Sequence, residues 1–174
     1  MRDLSRHRPN VGVVLFHPDG RVWIGQRSDR RDPFGWQFPQ GGVDGDEDLY
    51  TAACRELAEE TGVTSVSLLG RTAEWLAYDF PPEAKRHRQG WEGQKQIWFA
   101  LRFEGDETEV RLDGQDPPEF NAWRWAALDE TPDLIVPFKR PVYEEVVRAF
   151  AVFAGQASVG QISTGVKDEA DPGR

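Results

Sequence analysis

The chain predicts an α/β sandwich: a mixed sheet around a central loop–helix–loop, with a second helix closing the other face. Three observations carry that reading. Short apolar runs punctuated by Gly, Pro and Asp recur before residue 40 and again near residue 100, as strands and turns do. Residues 47–61 contain no proline and many strong helix formers, and they lie between the Gly41-Gly42 turn and Gly62. Residues 140–153 repeat apolar side chains at helical spacing, with Val142, Val146, Val147, Phe150 and Ala151 on one face.

Taken in order, residues 10–16 (NVGVVLF) are too continuously apolar to face water, so they predict an interior strand. His17-Pro18-Asp19-Gly20 is a turn, and residues 21–26 form the returning strand of a hairpin. Residues 28–35 mix charge, proline and glycine and predict a loop. Trp36-Gln37-Phe38 is a brief strand that delivers the chain to the glycine turn. Asp46 is placed to cap the helix that follows, and Gly62 to end it in a left-handed conformation. Leu49, Tyr50, Ala53, Cys54 and Leu57 share the face that should be buried. Strands are expected at residues 66–71 and 73–78, then a polar, irregular and mobile flap at 81–93. Residues 94–103 are the longest strand candidate, with Ile97, Phe99 and Leu101 alternating against Trp98. An acidic connection at 105–118 leads to a last strand at 120–125. One domain therefore spans residues 1–154, and the Gly/Ser-rich, then charged, residues 155–174 predict a disordered tail.

Bulk properties narrow the function. The 174 residues carry 21 basic and 30 acidic side chains, a net charge of −9. That argues against a general nucleic-acid binder, whose footprint is basic, yet a polyanionic substrate is allowed if cations invert the field at a carboxylate cluster. A single cysteine excludes an intramolecular disulfide. Neither a signal-like apolar start nor a run of roughly 20 apolar residues is present, so a cytoplasmic protein with no membrane association is expected. His7, His17 and His87 are scattered in predicted loops, and no nucleophile–base pair accompanies Cys54 or a serine. The oligomeric state is not legible.

The chemistry concentrates in residues 41–63 (GGVDGDEDLYTAACRELAEETGV). Glu56, Glu59 and Glu60 fall on one arc of the helix, because residues three and four apart stack on one side. Like charges so close repel, and a divalent cation relieves them; Mg²⁺ uses a few carboxylates with water and substrate phosphate. In isolation E-x-x-E-E most often marks a solvated helix face. The glycine turn, Glu47 and Arg55 change that balance. Arg55, four before Glu59, can orient the carboxylates, and with Glu47 it reads as a brace for the loop–helix–loop or as part of the catalytic apparatus.

That segment resembles the Nudix box, G-x5-E-x7-R-E-U-x-E-E-x-G-U with U aliphatic, at every defined position: Gly41, Glu47, Arg55, Glu56, Glu59, Glu60 and Gly62 all match. The resemblance extends through Arg8-Pro9-Asn10-Val11-Gly12, residues 36–42 (WQFPQGG), residues 93–99, Pro118-Glu119-Phe120 and residues 138–143. Together these resemble the subfamily of bacterial RNA pyrophosphohydrolases and asymmetrical diadenosine tetraphosphate hydrolases. It implies a Nudix-type α/β/α sandwich and hydrolysis of a polyphosphate bridge with more than one Mg²⁺ or Mn²⁺ per site.

By the same resemblance, Glu56, Glu59 and Glu60 ligate metal, and one of them deprotonates water. Glu119 is a further ligand or general base, or else an ordinary edge carboxylate. Arg8, Arg27 and Lys139 meet phosphate or base, and Tyr78 and Phe138 stack on the substrate or belong to the core. Trp36, Trp98, Trp123 and Trp125 read as core. Residues 78–81 (YDFP) and 90–93 (GWEG) look more like the dinucleoside branch, and a basic C-terminal extension is absent. The favoured expectation is therefore cleavage of diadenosine tetraphosphate to ATP and AMP, and the alternative is conversion of 5′-triphosphate RNA ends to monophosphates. A non-hydrolysing nucleotide-binding module and a hydrolase of oxidised nucleotides are the competing readings.

Overall fold

The structure, a computed structural model, describes residues 1–87 and 89–162. Ten principal elements follow in order: β1 (His7–Phe16), β2 (Val22–Arg27), β3 (Trp36–Gln37), β4 (Gln40–Gly42), α1 (Leu49–Thr61), β5 (Val66–Arg71), β6 (Leu76–Asp79), β7 (Gly93–Phe103), β8 (Phe120–Ala126) and α2 (Arg140–Ile162). The eight strands form one mixed sheet with the central order β3-β2-β1-β7-β5; β4 pairs with β1, β6 with β7 and β8 with β2. Among the described residues only β1 and β7 run parallel, in register from His7↔Gly93 to Phe16↔Arg102.

Strand alternation in that central pair builds two cores. Val11, Val13, Leu15, Ile97, Phe99 and Leu101 face α1 and meet Ala52, Ala53 and Leu57. Val14, Phe16, Trp98 and Ala100 face α2 and meet Val142, Tyr143, Val146 and Phe150. The continuous apolar run of β1 thus has a physical cause, since neither of its faces sees water. Gly12 lets the Trp98 indole lie against β1, where a Cβ would approach it to 2.4 Å.

Several expectations need correction. The α1 cap is Asp48, whose side chain accepts from the Thr51 N–H, and the helix starts two residues later than residue 47. Glu47 is drawn away to Arg55, which leaves Asp48 as the carboxylate nearest the open N–H groups. The short strand β4 is an addition, since Gln40-Gly41-Gly42 has no apolar pattern and exists by pairing with Asn10–Gly12. Helix α2 continues past residue 153 to Ile162, over residues expected in the tail; residues 163–174 lie outside the described region. On α2, Ala151 is exposed and Tyr143 takes the buried place. His7 opens β1 and is buried, with Nε2 2.8 Å from Asp79 Oδ1. A 3-10 turn, Pro82–His87, occupies part of the expected flap. Among the described residues no helix is long and apolar enough to cross a membrane.

Candidate active site

The sheet and α1 deliver two clusters to the end of the molecule where β1 begins and β2 ends. The first is the carboxylate cluster. Helix α1 is held against β4 by Arg55, which reaches back over the glycine turn. Its Nε lies 2.8 Å from Glu47 Oε2 and one terminal nitrogen donates to Glu47 Oε1 and to the Gly42 carbonyl, both at 2.9 Å. The other terminal nitrogen is 3.0 Å from Glu56 and 3.4 Å from Glu59. Arg55 is therefore a brace with five partners, the fifth being Asp44 at 3.4 Å, and its own pKa rises, first through Glu47 and then through Glu56. Glu47 is held below the usual carboxylate range by the same guanidinium. Gly41 leaves room for the carboxylate of Glu56, since a Cβ there would lie 1.9 Å from its Cδ. Gly62 is remote from this chemistry. It ends α1 with φ 78° and donates to the Ala58 carbonyl at 2.9 Å.

Glu60 is the unusual member. It is 6% exposed, and the polar contact to its carboxylate is the Gln40 N–H at 3.3 Å. Burial raises its pKa well above the ordinary value, and the like charges of Glu119 and Glu56 push the same way. Glu56 is raised by burial too, against the pull of Arg55. Glu119, at the mouth of β8, is near enough to Glu60 for its like charge to be felt there. Beside it Arg27, Ser28, Asp29, Pro117 and Pro118 complete the lining of a cavity of about 360 Å³. The buried Nε of Arg27 has no hydrogen-bond partner, while its terminal nitrogen pairs with Asp29.

Does this arrangement suit a divalent cation? The donors are hard oxygens, and Glu60 feels the like charges of Glu119 and Glu56, which a cation would relieve. Among the described residues no three such side chains close around one point, since Arg55 engages Glu56 and Glu59. That is compatible with magnesium, which takes one or two carboxylates and completes its shell with water and phosphate. The residues fit the ion as a partial shell rather than a cage.

The second cluster gathers Tyr78, Phe138 and Lys139. The Tyr78 and Phe138 rings are 5.6 Å apart, and Lys139 Nζ stands 5.4 Å from the Tyr78 ring centroid. Tyr78 is buried and donates to Gln94 Oε1, whereas Phe138 is 36% exposed. Tyr143 is wholly buried, its hydroxyl accepts from the Phe38 N–H at 2.9 Å, and burial pushes its phenol well above the ordinary range. Arg8 is exposed and lies over Gly42, where a Cβ would come within 2.5 Å of its guanidinium. Of the tryptophans read as core, Trp98 is wholly buried, and Trp36, Trp123 and Trp125 are half-buried.

Sequence reasoning missed a buried polar row. Gln96 Nε2 donates to Asn10 Oδ1 at 2.8 Å and to Gln40 Oε1 at 2.9 Å. Asn10 and Gln96 pair across the parallel strands and lie on the α2 side of the sheet, below the apolar core. The row fixes Gln40, whose backbone N–H reaches Glu60. A signal was available: polar residues at positions in phase with the buried Val14 and Trp98.

The NUDIX domain matches this chain over residues 6–146. The chain belongs to the NUDIX family. It is 66% identical over 155 residues to the RNA pyrophosphohydrolase of Caulobacter vibrioides, covering 87% of this chain and 90% of that protein. It is 50% identical over 155 residues to the RNA pyrophosphohydrolase of Acidiphilium cryptum, covering 85% and 92%. The solved Ap4A hydrolase of C. elegans superposes with a TM-score of 0.58 at 20% identity, over 83% of this chain and 98% of that one. At that identity the likeness shows the NUDIX fold alone. The NUDIX assignment and these relatives make the protein a hydrolase acting on pyrophosphate bonds, and the non-hydrolysing module is set aside.

Proposed function

We propose that the protein removes pyrophosphate from 5′-triphosphorylated RNA, leaving a 5′-monophosphate end. The observation that carries this reading is the similarity, over nearly the whole domain, to bacterial proteins named for that activity. The YDFP and GWEG segments favour dinucleoside polyphosphates. The likeness to the Ap4A hydrolase reaches the fold alone, whereas the RNA pyrophosphohydrolases match over nearly the whole domain, so the order of the two readings is reversed.

Glu56, Glu59, Glu60 and Glu119 would hold Mg²⁺ or Mn²⁺, which when bound supplies an activated water and neutralises phosphoryl charge. The rest falls to the chain's own groups. Arg55 fixes Glu56 and Glu59, and the Gln40 N–H, itself anchored through Gln96, fixes Glu60. Arg8 and Arg27 meet phosphate oxygens at the rim. Tyr78 and Phe138 receive the terminal nucleotide with Lys139 beside them, which sets which phosphorus lies over the carboxylates. Water attacks that phosphorus in line, so no protein nucleophile is needed.

Product analysis tests the reading. Purified protein with Mg²⁺ should convert triphosphorylated RNA to monophosphorylated RNA faster than it splits diadenosine tetraphosphate. Rapid formation of ATP and AMP with untouched RNA ends would overturn it in favour of the dinucleoside substrate.

A further inference from the structure

Of ten phenylalanines, seven tryptophans and three tyrosines, only Phe34 (40%) and Phe138 (36%) rank as exposed. A lone exposed phenyl is ordinary on a protein surface. These two flank one seam. Gly35 bridges Ile135, which sets Phe34 one residue from the bridge on one side and Phe138 three residues from it on the other. The same Gly35 accepts at its carbonyl from the Arg27 N–H at 2.9 Å, so the seam adjoins the arginine that lines the cavity at Glu119.

The loop carrying Phe34 is braced. Asp32 accepts from Arg30 Nε at 3.1 Å and from its terminal nitrogen at 2.7 Å, and also from the Phe34 N–H at 2.9 Å. The Ser28 N–H donates to the Glu119 carbonyl at 2.9 Å, tying the loop root to a proposed metal ligand. A braced loop thus holds Phe34 40% exposed beside the exposed Arg31, with Arg27 and Arg30 nearby and paired to Asp29 and Asp32. Aromatic faces alternating with cations are what single-stranded nucleic acid asks of a surface, bases stacking while phosphates follow the charge. In a chain of net charge −9, this seam joins both features beside the carboxylate cluster.

We propose that Phe34 is a stacking platform for a nucleotide downstream of the one held at Tyr78, Phe138 and Lys139. The loop at residues 28–35 thereby sets how strongly the enzyme prefers a longer single-stranded end. The proposal rests on the RNA-end reading, and two measurements separate them.

In the first, kcat and KM are measured for triphosphorylated substrates of one, two, three and five nucleotides with wild type, Phe34→Ala and Phe34→Trp. The ratio of kcat/KM for five nucleotides over one should fall about five- to a hundredfold in Phe34→Ala, the range for loss of one base–aromatic stack. The loss should sit in KM, and Phe34→Trp should restore the ratio. An unchanged ratio, or an equal loss at every length, overturns the platform. In the second, fluorescence anisotropy follows binding of a 5′-monophosphorylated pentanucleotide, which needs no turnover. Weaker binding by Phe34→Ala supports the platform even if wild type releases no pyrophosphate from RNA, a result that would defeat the reaction assigned above. Equal dissociation constants overturn it whatever the activity.

Discussion

Gly41→Ala tests how closely the catalytic helix meets the glycine turn. An ideal Cβ at residue 41 would lie 1.9 Å from Cδ of Glu56 and 2.2 Å from each carboxylate oxygen. Comfortable non-bonded separation is about 3.5–4.0 Å, so the carboxylate must retreat by roughly 1.5–2 Å. Residue 41 is not among the glycines with positive φ, so alanine brings no dihedral strain. The obstructing atoms end a rotatable side chain, and the fold can yield there at little cost. Thermal stability should move by less than about 1 kcal/mol, or about 2–4 °C for a domain of this size. The cost lands on the chemistry. Glu56 is pushed off its 3.0 Å contact with Arg55, and a displacement of about an ångström can cost about a hundredfold in rate, or about 2.7 kcal/mol of barrier. Pyrophosphate release at saturating Mg²⁺, alongside a thermal melt, measures both. In a Glu56→Ala background the Gly41 substitution should add nothing, because the clash is gone. A kcat for Gly41→Ala within about threefold of wild type, under about 1 kcal/mol, would refute the reasoning.

Glu60→Gln should nearly abolish turnover with the fold intact; a kcat within about threefold of wild type would sink its assignment as a metal ligand. Because burial raises the folded-state pKa of Glu60 above its unfolded value, its favourable contribution is complete at acid pH and is lost as pH rises through the folded pKa. In EDTA, Glu60→Gln should therefore raise Tm more near pH 7.5 than near pH 4, and the opposite trend in melts would contradict the cause given. Mg²⁺ should raise the wild-type Tm by binding the folded carboxylates, and no shift at millimolar metal would mean that they are merely solvated. Arg55→Ala should lower Tm and slow turnover less than Glu60→Gln; an unchanged Tm with the larger rate loss would exchange their roles. Tyr143→Phe strands the buried Phe38 N–H and should cost about 1–3 kcal/mol, seen as a lower melting temperature, with no change as the failing result.

Much of this was written in local sequence, and the exceptions share a cause. Residues 66–71 form the expected strand because their pattern is local, and Glu56, Glu59 and Glu60 share an arc because helical geometry alone puts them there. Strand β4 was invisible, since three polar or glycine residues become a strand only when β1 supplies the partner. The helix start was misplaced because Asp46, Glu47 and Asp48 are equivalent caps until Arg55, eight residues on, claims Glu47. The row Asn10–Gln96–Gln40 escaped notice for the same reason, its members being 86 and 56 residues apart. Site residues matched to a motif could be named, yet their grouping into a carboxylate cluster and an aromatic one is a property of the sheet.

The parallel register of β1 with β7 also has a consequence for biosynthesis. Residues 7–16 wait for residues 93–102 before the centre of the sheet can form, and each strand supplies a wall to both cores. Contacts so distant in the chain must meet the entropy of closing a long loop first, which slows folding. A growing chain therefore carries the β7 edge of β1 unpaired until residues beyond Phe103 have left the ribosome, and its face toward α2 uncovered until that helix follows. Translation pauses before α2 emerges therefore prolong the exposure of Val14 and Phe16.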